Sequence, residues 1–179
     1  MSDEQPKATN DDPYLWLEDL TGDAAMAWVR ERNGETIESL AVTPRFRRLR
    51  DEIRDVLDSA ERIPSVRRRG DHLYNFWRDA TNPRGLWRRT TLDEYRTDHP
   101  DWEILLDVDA LAAREGANWV WQGAIVRRPD HDRALLLLSD GGADARVVRE
   151  FDVDSREFVA DGFFLPEAKS TVGWIGLDE

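Results

Sequence analysis

Apolar residues recur along this chain with two different periods, and the change falls at Ile63-Pro64. Before that point the spacing is helical. Ala24, Ala25, Trp28, Ile37 and Leu40 predict a helix from about Gly22 to Leu40, with Asn33-Gly34 as a weak point inside it. A second helix follows, with Thr43 as its cap and Pro44 at the first helical position. Phe46, Leu49, Ile53, Val56 and Leu57 form its apolar stripe, and Arg47, Arg48, Asp51, Glu52, Arg54, Asp55 and Asp58 occupy the other face. It ends before Pro64. Upstream, Asp12 to Asp19 is a compact aromatic-apolar anchor bounded by acids, and residues 1–12 read as a disordered lead-in.

Beyond Ile63-Pro64 the signals are short strands separated by turns. The segment Ser65 to Asp79 contains Leu73-Tyr74-Asn75-Phe76-Trp77, apolar on both faces as in a strand buried on both sides. Asn82-Pro83-Arg84-Gly85 is a turn, and Leu86 to Thr91 and Trp102 to Val108 are the next strands. A comparable set recurs at Trp119 to Val126, Ala134 to Ser139, Arg146 to Val153 and Phe158-Val159. Asp130-His131-Asp132, Asp140-Gly141-Gly142 and Asp154-Ser155-Arg156 supply its turns. Phe163-Phe164-Leu165 and Val172-Gly173-Trp174-Ile175 read as the opening of a third set. Units of this size, repeating every 45 to 50 residues or so, fit propeller blades, although the pattern alone fits a sandwich equally well.

Composition supports a folded protein: 40% of the 179 residues are hydrophobic and eight are tryptophan. Lys+Arg 25 against Asp+Glu 37 leaves a net charge of -12, which disfavours nucleic acid and anionic membrane surfaces as partners. There is no cysteine, which removes disulfides, thiolate nucleophiles and thiolate metal sites and suits a reducing compartment. Neither a signal peptide nor a spanning segment is expected, so the chain reads as cytoplasmic.

The stretch Asp12-Pro13-Tyr14-Leu15-Trp16-Leu17-Glu18-Asp19, followed by a Trp-bearing helix with Asn33, resembles the opening of the prolyl oligopeptidase family of serine peptidases. Asp71 to Trp77, Asn82 to Arg88 and Leu105 to Asp109 are similar to that family's first propeller blade. Gly162 to Ser170 resembles a segment of the second or third blade in bacterial members. The resemblance runs from about Asp12 to the last residue. It implies a mainly β chain with an N-terminal α-helical extension (13–62) and an incomplete β-propeller (63–179) of about two blades and the start of a third. It also implies a partner: a C-terminal α/β-hydrolase domain carrying the Ser-Asp-His triad, with the propeller admitting only short peptides. The sequence is expected to end before that domain, so oligopeptide substrate is met only through the parent enzyme.

No residue here is therefore assigned as catalytic, cofactor-binding or metal-ligating, and no cofactor is expected. No G-x-S-x-G surrounds Ser39, Ser59, Ser65, Ser139, Ser155 or Ser170, and His72, His99 and His131 read as structural or solvated. Asp107-Val108-Asp109 and Asp152-Val153-Asp154 lack the central Gly and distant Glu of a calcium loop and read as turn acids. Arg67-Arg68-Arg69 and Arg45, Arg47, Arg48 and Arg50 are local basic runs. The helix arginines read as solvated or as pairing with acids of the hydrolase domain, and nucleic-acid binding is disfavoured. Trp77, Trp87, Trp102, Trp119, Trp121 and Trp174 read as inter-blade packing. The competing reading is a stand-alone interaction module. Against it, an open blade would expose strand edge and apolar face and favour self-association.

Overall fold

A computed structural model describes residues 12–59 and 61–176, so nearly all of the predicted lead-in lies outside the described residues. The chain divides between Asp55 and Val56 into two compact units. In the first, Leu15–Glu18 make a 3-10 turn, and Trp16 meets Trp28 of α1 (Asp23–Thr36) edge-to-face at 6.4 Å. Asn33-Gly34 does not break this helix. The N–H of Ile37 is shared between the carbonyls of Asn33 and Gly34, and the chain continues into a π turn over Ile37–Ala41. Helix α2 (Pro44–Asp58) starts as predicted, the Phe46 N–H donating to Thr43 Oγ1 at 3.2 Å. Its stripe of Phe46, Leu49, Ile53, Val56 and Leu57 stays 42–67% exposed.

The second unit holds two antiparallel sheets. The first runs β1 (Arg67–Arg69), β2 (His72–Trp77), β3 (Leu86–Thr91) and β4 (Glu103–Asp107) in chain order. The second runs β5 (Trp119–Val126), β6 (Arg133–Asp140), β7 (Arg146–Asp152) and β8 (Glu157–Phe158) in the same way. These two sheets are the blades expected, four strands in the first and five in the second. The predicted segment Ser65 to Asp79 resolves into a hairpin, with Arg69 opposite His72 and the turn at Gly70-Asp71.

The expected opening of a third set is corrected. β9 (Phe164–Ala168) pairs with β7, Leu165 opposite Val148, and so completes the edge that β8 begins. Val172 and Trp174 form no strand and pack instead on the outer face of the second sheet. Two short helices were not anticipated. α3 (Leu92–Tyr95) is capped by Thr91, whose hydroxyl accepts from Glu94 N. α4 (Val108–Glu115) is capped by Asp107, which accepts from Ala110 N at 2.9 Å, and buries Val108, Leu111 and Ala112.

The strand period divides the core in two. Along β6, Ala134, Leu136 and Leu138 face the first sheet, and Leu135 and Leu137 face the other way, so a run of five apolar residues is buried on both sides. Between the sheets Phe76 stacks on Trp121 (4.9 Å, 7°), while Trp87 lies 5.6 Å from Trp121 and 5.7 Å from Phe151. In β5, Trp121 pairs with Leu138 and Gly123 with Leu137, leaving Gln122 as a bulge; Gly123 takes φ +137°, which side chains rarely permit. Glu115 fastens α4 to the second sheet, accepting from Trp119 Nε1 (2.7 Å) and Arg149 (2.9 Å).

The tryptophans do not all serve the inter-sheet core. Trp87, Trp119 and Trp121 do, but Trp77 and Trp102 clasp the Arg88 guanidinium at 4.7 and 4.2 Å from their ring centres. Arg88 Nε also donates to Asn75 at 2.9 Å, and burial pushes the guanidinium down to about 10, with Asp79 opposing that shift. It stays cationic at neutral pH.

Asp79 organises the turn after β2, accepting from Trp77 Nε1 and from the N–H groups of Thr81 and Asn82 at 2.8–2.9 Å. Burial alone would raise its pKa, but these hydrogen bonds outweigh it and hold the carboxyl below its ordinary 3.8. Glu103, bonded by Arg89, and Asp132, bonded by Arg127, are also held low, in each case with burial opposing. A depressed carboxylate stabilises the fold above its unfolded pKa, and that contribution disappears as pH falls through the folded value. The urea midpoint should therefore be flat above roughly pH 5 and fall steadily toward pH 3. Asp79→Asn should flatten part of that acid slope; an unchanged slope would remove Asp79 from this account.

Candidate functional site

The turn acids serve the backbone. Asp109 accepts from Arg84 N and Gly85 N at 3.0 and 3.2 Å, so it holds the β2–β3 turn while Asp107 caps α4. Asp152 accepts from Asp154 N and Ser155 N and pairs with Arg133. Asp140-Gly141-Gly142 forms the β6–β7 turn, where Ala143 N donates to the Asp140 carbonyl. The three histidines are scattered. His72 opens β2 opposite Thr91, His99 is exposed after α3, and His131 sits in the β5–β6 loop with its ring 3.3 Å from where a Cβ on Gly70 would lie.

What the fold does gather is positive charge. β1 is the edge strand of the first sheet, and it faces β5 and the loop beyond it across a cleft. One part of the cleft, about 430 Å³, has Arg67 and Arg69 at its rim and Tyr74, Phe76, Trp87 and Trp121 along its wall. An adjoining part, about 650 Å³, shares Arg67 and Arg69 and adds Arg68, Arg128 and His131. The sequence triplet Arg67-Arg68-Arg69 thus meets Arg128, a residue the sequence reading had not singled out. The signal available was the pair Arg127-Arg128 at the end of an apolar strand, the place where a hairpin loop projects.

The two arginines of that pair differ. Arg127 is bound by Asp132 at 2.7 Å and lies 5.6 Å from the centre of the Trp174 ring. Among the described residues no carboxylate pairs with Arg67, Arg68, Arg69 or Arg128. Arg68 donates to its neighbour's carbonyl at Gly70, and Arg69 reaches the Ala124 carbonyl at 3.4 Å while lying 5.3 Å from the Tyr74 ring centre. Arg69 Nη1 is enclosed and has no acceptor among the described residues. Burial lowers the Arg69 pKa, Tyr74 opposes, and the like charges of Arg67 and Arg128 lower it further. In a chain of net charge -12 this is a concentrated cationic site.

Two successive antiparallel meanders packed face to face define the class: blades of a β-propeller. The family described as prolyl oligopeptidase, N-terminal beta-propeller domain, matches residues 1–178, and the chain belongs to that family. It is 44% identical to an uncharacterised peptidase of Sinorhizobium fredii over 94% of its length, and 35% identical to one of Rickettsia prowazekii over 91%. It spans only about a quarter of each, 24% and 23%. Among solved structures, a post-proline cleaving enzyme from Rickettsia typhi is similar with TM-score 0.74 and 34% identity, over 83% of this chain and 22% of that one. Oligopeptidase B from Leishmania major shares the fold at TM-score 0.62 and 20% identity, over 84% of this chain and 21% of that one. Among the described residues no helix is long and apolar enough to cross a membrane.

Proposed function

We propose that this chain is the substrate-filtering gate and scaffold of a serine-type oligopeptidase, cleaving short peptides, typically after proline. In this reading the Ser-Asp-His triad lies in a C-terminal α/β-hydrolase domain of a longer protein, and residues 1–179 contribute none of its members. The observation that carries the reading is the pair of face-packed blades in a chain related to peptidases about four times its length. Blades closed into a ring leave a narrow approach that an unfolded short peptide passes and a folded protein does not. The exposed apolar stripe of α2 fits a helix that clasps the hydrolase domain, since a stripe of that width normally packs on something. A cytoplasmic setting goes with the cysteine-free sequence.

The test compares the full-length protein with residues 1–179 alone on a fluorogenic peptide carrying proline before the scissile bond. Turnover by the full-length protein and none above background by the 179-residue chain is the expected result. Turnover by the short chain would overturn the division of labour. An inert full-length protein would overturn the peptidase reading.

A further inference from the structure

Among the described residues the four guanidiniums set around this cleft have no carboxylate partner, and they repel one another unless an anion joins them. The enclosed Nη1 of Arg69 makes the point locally, because it has no acceptor among the described residues and a buried donor without one is destabilising. Acids are plentiful in this sequence, and Arg89, Arg127, Arg133 and Arg149 each have one at hand. Among the described residues the cleft arginines have none.

Resting on the peptidase reading above, we infer that the cleft between β1 and β5 binds the carboxylates of acidic oligopeptides, drawing such substrates to the gate. Arg67 and Arg128, both exposed, supply the attracting charge, and Arg69, which lines both parts of the cleft, stands at the inner end with its enclosed Nη1 lacking an acceptor among the described residues. The wall decides for a peptide over a bare inorganic anion. Phe76 and Trp121, both partly buried, line the adjoining part of the cleft beside Arg67 and Arg69, and they offer apolar edge that an organic ligand uses. The two adjoining volumes, about 430 and 650 Å³, lie in the range of pockets that bury ligands of a few residues.

The experiment uses the full-length protein and two fluorescein-labelled tetrapeptides, followed by anisotropy at low salt. One has two alanines followed by two glutamates; the other is its glutamine counterpart, amidated at the C-terminus. The acidic peptide should bind about tenfold more tightly, in line with one or two charge-assisted hydrogen bonds. Arg67→Gln with Arg128→Gln should bring the two Kd values within about twofold of each other, and Arg67→Lys with Arg128→Lys should retain most of the preference. Both substitutions are at exposed positions, and an unchanged urea midpoint confirms that the fold is intact. Equal binding of the two peptides by the unaltered protein overturns the inference, as does a preference that survives the glutamine variant. So does inorganic phosphate that displaces the acidic peptide at equal concentration. If the same preparation cleaves proline peptides yet shows no acid preference, this inference alone fails; if it cleaves nothing, the peptidase reading fails first.

Discussion

Phe151→Ala is expected to destabilise the two-sheet unit by about 3–5 kcal/mol, a large part of the roughly 5–15 kcal/mol by which a domain is stable. Phe151 is 1% exposed and sits where three elements converge. Its ring meets Trp87 of the first sheet at 5.7 Å and Phe158 of β8 at 5.4 Å, both edge-on. Truncation removes both aromatic contacts and leaves a cavity whose walls belong to strands held by their own ladders, so collapse into it is limited. Urea unfolding followed by tryptophan fluorescence reads the loss directly, because Trp87 borders the cavity. Phe151→Leu, which fills most of the space, should lose less than half as much. A loss below about 1 kcal/mol for the alanine variant would mean that the two sheets slide together to close the gap, against the rigid packing described.

Gly85→Ala should have the second largest effect, on the order of 3 kcal/mol, although it adds a single methyl group. Gly85 has φ +105°, a conformation that a side chain resists. An added Cβ would lie 2.5 Å from Phe76 Cζ and 3.0 Å from the Trp77 carbonyl oxygen. Neither neighbour can give way easily: Phe76 is stacked on Trp121, and the carbonyl belongs to the backbone. The backbone of Gly85 is itself fixed at both ends, its N–H donating to Asp109 and its carbonyl accepting from Val108 N at 3.0 Å. Chemical denaturation of the variant, alone and with Phe76→Leu, separates the two causes. Relief of the ring clash should recover part of the loss, and the remainder is the cost of the backbone angle. Full recovery would show that φ +105° is tolerated by alanine there.

The same turn shows what was legible in the sequence. Asn82-Pro83-Arg84-Gly85 announces a reversal through residue types whose conformational limits are local, and the aromatic and β-branched residues of Leu86 to Thr91 and Trp119 to Val126, bounded by turn residues, mark strands. Elements governed by tertiary partners were harder to see. β1 consists of three arginines, with no apolar alternation, and exists because β2 offers it a ladder. α4 follows β4 without a gap, Asp107 ending one and capping the other, so the apolar run Leu105-Leu106 to Leu111 carries two periods at once. The cap at Asp107, the spacing of Val108, Leu111 and Ala112, and Gly116 at the left-handed C-cap were its local marks. β9 contains Pro166 and looked like a new beginning, whereas its register with β7 is fixed by residues 15 to 22 positions upstream. For the candidate site, the arginine triplet was visible and Arg128 was not, since nothing in the spacing of 67 and 128 says that two hairpins put them on one cleft.

The double burial of β6 has a consequence for how this unit breathes. Its amides are bonded within a strand flanked by β5 and β7 and covered on both faces, so they exchange with solvent only when the whole unit opens. β1 is three residues long, borders a single neighbour, and exchanges through local opening. The arginines therefore ride on the part of the sheet that loosens first. A ligand held by Arg67 and Arg69 would be felt as slowed deuterium uptake at β1, while the protection of β6 stays where it was.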